Sequence, residues 1–162
     1  MPSSVRDTTL LDDVSVGNTL DWLTRTVPAF AWRDIDGIPN IRPKDAWTSA
    51  DDLLNMPLAP LQVSAVDVSG AGLELFFGDP PSGPDVPKFD FDLTFPGGPV
   101  LNGLNSIVRA AHAAGWDAVT VAHPRNRDGD PVAAVVGIRY SGHKGAGGSE
   151  FVLTAKTLAK RQ

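Results

Sequence analysis

The chain has 162 residues, 42% hydrophobic and 20% charged, with Lys+Arg 14 against Asp+Glu 19 and a formal net charge of -5. A chain of this length buries roughly 68–70% of its unfolded surface, enough for one soluble domain over 1–162 without a staple. Cys 0 excludes disulfides, thiolate catalysis and Cys-ligated metal centres, and the acidic balance argues against nucleic acid, since the only compact basic run is Lys156 to Arg161.

Met1 to Asp12 has no apolar core behind a basic start and does not read as a secretory leader, and no stretch approaches the roughly 20 apolar residues of a membrane helix. The expected compartment is the periplasm if a leader was removed and the cytoplasm otherwise. Val14-Ser15-Val16 alternates like a strand and runs into a helix start, with Asn18 or Thr19 as N-cap and Leu20, Leu23 and Val27 at helical spacing. Asp36-Gly37 marks a hairpin turn, and Leu53 to Pro60 is a proline-bounded connector. Leu61 to Val66 reads as a strand, while Gly70 and Gly72 leave Ser69 to Phe77 open between helix and strand. In Phe89 to Phe95 strict alternation puts Phe89, Phe91, Leu93 and Phe95 on a core face, with Asp90, Asp92 and Thr94 on a wet one. Leu104 to Trp116 is predicted helical, with Leu104, Ile107, Val108 and Ala111 inward and Gly115 as the stop. Val132 to Tyr140 and Glu150 to Leu158 form a closing hairpin around a glycine-rich loop, Ser141 to Ser149.

An internal parallel organises these elements. Gly17, Leu20, Asp21 and Leu23 are answered by Gly98, Leu101, Asn102 and Leu104; Trp32 is answered by Trp116, Asp36-Gly37 by Asp128-Gly129, and Ile41-Arg42 by Ile138-Arg139. Two copies of one strand-helix-hairpin unit, 14–43 and 91–140, account for the spacing. The predicted fold is α+β, with helices packed on one face of a mixed or antiparallel sheet, each helix closing on its own hairpin.

The first unit, from the Leu20 helix through Trp32-Arg33-Asp34-Ile35-Asp36-Gly37 to Ile41-Arg42-Pro43, resembles the short N-terminal modules of secretins and TonB-dependent receptors. The second is a looser copy, and Pro39 departs from the pattern inside the return strand. The resemblance implies a small α+β module of the bacterial cell envelope that contacts other proteins and carries no active site.

Catalytic residue types are present without a working constellation. His112 lies among alanines on the predicted helix, His143 lies in the glycine loop, and no pair has the i, i+4 spacing of a metal site. His123 ends an apolar strand before Pro124, where Asp128 or Asp130 in the following acidic loop could orient its imidazole. Asn126 to Asp130 lacks the glycine and glutamate of a calcium loop, so an Asp-Gly hairpin tip explains it better. Gly142 to Ser149 places Lys144 before its glycines, unlike a phosphate-binding loop. Asp90 and Asp92, roughly 7 Å apart by strand rise, fit a solvated face better than a glycosidase pair, and Ser141 and Ser149 lack a nucleophile elbow. Of Trp 4, Trp32 and Trp116 are core candidates, and Trp22 and Trp47 are candidates for an interaction surface.

The expectation is therefore a non-catalytic module with a protein partner, no cofactor and no metal. The rival is a small hydrolase or ligand-binding protein using His123 with Asp128 or Asp130. Oligomeric state is left open.

Overall fold

The computed structural model describes residues 15–78, 91–125, 133–143 and 145–162. In chain order the elements are α1 (Val16–Thr26), β1 (Phe30–Ile35), β2 (Ile38–Pro43), β3 (Pro57–Leu58), β4 (Leu61–Val66), α2 (Val68–Phe77), β5 (Phe91–Phe95) and β6 (Gly98–Pro99). They continue with α3 (Val100–Ala113), β7 (Asp117–Arg125), β8 (Ala133–Gly142), β9 (Gly145–Thr154) and α4 (Ala155–Ala159). Short 3₁₀ turns at Asp45–Trp47 and Leu53–Asn55 join β2 to β3. The fold is α+β, and every sheet is antiparallel: β1 with β2, β3 with β6, β4 with β5, and β7-β8-β9.

Helix α1 begins earlier than its sequence predicts. Ser15, extended at φ -62 and ψ 149, is the N-cap, and its hydroxyl accepts the Asn18 N–H at 3.2 Å. Asn18 and Thr19 lie inside the first turn, where Thr19 donates its hydroxyl back to the Ser15 carbonyl at 3.3 Å. Val14 lies outside the described residues. The Asp36-Gly37 turn has φ 53 and 83, the left-handed pair that a two-residue hairpin requires.

The undecided segment 69–77 is helical. Asp67 caps α2 by accepting the Gly70 N–H at 2.7 Å, and Gly78 ends it in the left-handed region at φ 68. Gly72 is there for close approach, because a methyl on it would overlap the Phe151 ring of β9. Gly72→Ala is therefore expected to lower stability. The gain of about 1 kcal/mol in helix propensity is outweighed by overpacking against a rigid buried ring, about 1–3 kcal/mol. Urea unfolding checks the sign.

Strand β5 alternates as its sequence predicts, with Phe91, Leu93 and Phe95 buried and Asp92 and Thr94 exposed; Phe89 and Asp90 lie outside the described residues. Asp92 accepts the Ala65 N–H at 3.1 Å, where β4 bulges between Val63 and Val66 and Ala65 sits at φ 53. Helix α3 starts at Val100 rather than Leu104, and its inner stripe Val100, Leu104, Ile107 and Ala111 is fully buried. Gly115, at φ 87, turns the chain so that the Trp116 N–H reaches the Ala111 carbonyl at 3.0 Å.

The glycine run expected as a loop is strand. Gly142 pairs with Gly145 and the ladder continues through Gly147 and Gly148. These positions lack side chains because aromatic rings occupy the space: Trp116 covers Gly142 and Tyr140 covers Gly147. After β9 the chain turns helical, where Thr154 and Thr157 cap α4 reciprocally and Leu158 enters the core. One contiguous core joins α2, α3, α4, β5, β8 and β9.

In both proposed units a helix is followed by an antiparallel hairpin on which it packs, α1 against β1 and α3 against β7. Leu20, Leu104, Ile107, Val108, Phe91, Phe95 and Trp116 are buried, as their spacing predicts. Leu23 and Trp32 are only half-buried, since α1 covers a two-stranded ribbon with little core beneath it. The Ile-Arg pairs take opposite faces: Arg42 is buried and Ile41 exposed, whereas Ile138 is buried and Arg139 exposed.

Candidate functional site: a groove between two strand edges

Strand β2 is pinned at both ends. At its far end Arg42 is 5% exposed, and its guanidinium donates to Asp52 at 2.9 Å, to the Asn55 side-chain oxygen at 2.9 Å and to the Ala46 carbonyl at 2.9 Å. The hairpin tip is held to the C-terminal half of α3 by Asp36 and Arg109 at 3.1 Å. The residue after the Leu53–Asn55 turn, Met56, accepts the Val100 N–H at the start of α3 at 2.9 Å. So β2 runs from the C-terminal half of α3 toward its N-terminus, and β7, which follows α3 through a tight turn, runs the same way.

The two strands do not pair with each other: among the described residues β2 bonds only to β1, and β7 only to β8. Between them lies a groove of about 410 Å³, floored by Leu101, Leu104 and Val108 of α3 and walled by Ile38 to Ile41 and by Ala118 to Thr120 and Ala122. Its volume is that of an ordinary ligand pocket and its floor is apolar. His112 and Asp117 stand at one end as exposed polar groups.

Hairpin phase fixes which backbone groups face the groove. The two-residue reversal makes Gly142 and Gly145 a mutually bonded pair, so even-numbered residues of β8 bond toward β9 and odd-numbered ones toward β7. On β7, Ala118, Thr120 and Ala122 therefore direct N–H and C=O outward. Among the described residues these groups have no backbone partner outside their own ladder. On β2 the same reasoning from the Ile35–Ile38 pair turns Pro39, Ile41 and Pro43 outward. Pro39 is thus on the outer edge, where a missing N–H breaks no ladder bond.

Asn105 shares the α3 stripe with Leu101, Val108 and His112 at spacings of four, three and seven residues. It is 1% exposed, and among the described residues neither its amide nitrogen nor its oxygen has a hydrogen-bond partner. Unmet burial of this kind costs about 1–3 kcal/mol. Asn105→Leu, similar in shape, is expected to raise the unfolding free energy by about that amount, read by urea denaturation.

The residues singled out in the sequence lie elsewhere. His123 is exposed on the face of the three-stranded sheet away from α3, opposite Val135, and among the described residues its imidazole makes no hydrogen bond. Asp128 and Asp130 lie outside the described residues, as does Lys144. His143 is exposed at the β8–β9 turn. Trp22 is 46% exposed on α1. Trp47 is half-buried: its indole N–H donates to the Ala31 carbonyl at 3.3 Å, and the Arg33 and Arg42 guanidinium carbons lie 4.5 and 5.1 Å from its ring centre. Among the described residues no three His, Asp or Glu side chains come together as cation ligands. Pro39 and Pro43, two prolines in one phase of a strand, were the sequence signal for a free edge beside the groove.

No family model, curated protein or solved structure matches the chain.

Proposed function

We propose that the chain is a non-catalytic protein-interaction module whose docking element is the groove between β2 and β7. The observation that carries this reading is an apolar floor bordered by a strand edge whose outward N–H and C=O groups have no backbone partner among the described residues. The similarity of Leu20 to Pro43 to modules of secretins and TonB-dependent receptors supports the same class, with the cell envelope as its setting and two copies of one unit as its plan. Among the described residues no helix is long and apolar enough to cross a membrane.

The test is a selection of random displayed peptides on the immobilised full chain. Enriched peptides are expected to bind wild type and to lose about tenfold or more in affinity on Ile41→Glu. Ile41 lines the groove and is 42% exposed, so the change leaves the core intact. Absence of enriched peptides, or equal binding to Ile41→Glu, would overturn the reading. So would turnover of an ester, phosphoester or glycoside that disappears in His123→Ala, which would instead support the hydrolase reading with His123 and Asp128 or Asp130.

A further inference from the structure

We infer that the groove accepts a single extended segment of another protein, which enters as a strand antiparallel to β7 and β2, with apolar side chains at alternate positions and a Lys or Arg at its C-terminal end. This rests on the interaction reading above and names the chemistry of the partner. Because β2 and β7 run in the same direction across α3, one strand between them would close β1, β2, β7, β8 and β9 into a continuous antiparallel sheet.

The hydrogen-bonding groups divide the two walls into different roles. Ala118, Thr120 and Ala122 each offer an N–H and a C=O, which is a ladder. The outward positions of β2 offer a single N–H, that of Ile41, because Pro39 and Pro43 have none. The incoming segment pairs along β7 and is confined by β2. Its side chains alternate, so every second one meets Leu101, Leu104 and Val108 while the others face water.

Charge sets the direction at one end. Asp117 opens β7 and Asp36 lies in the turn that leads into β2, held to the C-terminal half of α3 through Arg109, with Asp34 just before that turn; all three are exposed, and the dipole of α3 is negative at this end. Among the described residues Arg109 pairs with Asp36 and His112 stands at the same end as Asp117, but no Lys or Arg forms an ion pair with Asp34 or Asp117. A strand antiparallel to β7 brings its own C-terminus to this end, so a basic residue belongs there.

An extended strand uses the edge that other occupants leave idle. A helix satisfies its own backbone and leaves the β7 edge unpaired, and β7 or β2 of a second copy would enter with one side already taken by its own neighbouring strand.

The experiment uses the enriched peptides with Thr120→Pro in the full chain, its fold checked by urea denaturation. Thr120→Pro removes one outward N–H and spares the β8 ladder, and it is expected to weaken binding about tenfold or more in a chain that still unfolds cooperatively. N-methylation of alternate peptide amides, which leaves the protein untouched, is expected to abolish binding, and replacing the terminal Lys by Glu to weaken it in a salt-dependent way. If Thr120→Pro and the methylated peptides bind as well as their parents while Ile41→Glu does not, strand addition is overturned and the interaction reading stands. Enriched sequences with apolar residues at helical spacing have the same meaning. Absence of any binder overturns both.

Discussion

Leu104→Ala is expected to lose about 2–5 kcal/mol, most of the stability of an ordinary domain. Leu104 is 1% exposed and belongs both to the contiguous core and to the groove floor. The loss has two parts, the transfer free energy of the removed carbons and the cavity left behind. Relaxation to fill that cavity is limited on one side, because the neighbouring Gly103 already lets Leu75 of α2 approach its backbone so closely that an added methyl would lie 2.9 Å from a Leu75 carbon. Chemical denaturation of the variant reads the effect as a lower midpoint at unchanged slope. A midpoint equal to wild type would mean that α3 does not anchor the core.

Arg42→Ala is expected to cost about 3–5 kcal/mol, the range for removing one member of a buried ion pair. The side chain of Arg42 is 6% exposed and that of Asp52 is 26% exposed, so the carboxylate left behind is only partly open to water. Asp52 also accepts the Leu54 N–H at 2.9 Å, and Asn55 donates to the carbonyls of Ala46 and Ser49 at 2.8 Å each. The guanidinium therefore ties the end of β2 to both 3₁₀ turns and, through Met56, to the start of α3. Arg42→Lys is expected to recover little, because one ammonium cannot reach Asp52, Asn55 and Ala46 together or stack on Trp47. A weaker effect in Arg42→Ala than in Asp36→Asn, which removes the charge of the exposed pair with Arg109 and keeps a residue that suits the left-handed turn, would contradict this ranking.

Several elements were legible because they depend on local pattern. Alternation predicted the buried face of β5, helical spacing predicted the inner stripe of α3, and Asp36-Gly37 predicted its turn from backbone conformation alone. Other features depended on partners distant in sequence. Gly72 is tolerated within α2 because Phe151 lies against it, and the glycines of β9 are strand because Tyr140 and Ile138 crowd them; a window of neighbours contains neither fact. The cap at Ser15 was displaced by competition among Ser15, Asn18 and Thr19, all acceptable residues for that role. The groove was hidden for a related reason. It arises where two strands fail to pair, and only Pro39 and Pro43, in phase on β2, left a trace of it in the sequence. The histidines attracted notice as chemical types, yet His123 faces away from the groove and His112 only marks one end of it.

The central claim is that the outer edge of β7 is free and poised to pair. Amide hydrogen exchange of the free full chain, resolved residue by residue by NMR, tests this without any partner. The amides of Ala118, Thr120 and Ala122 are expected to exchange rapidly, and those of Val119, Val121 and His123, bonded to β8, slowly. Uniform slow exchange along Ala118 to His123 would mean that the edge is already covered, and would contradict the account.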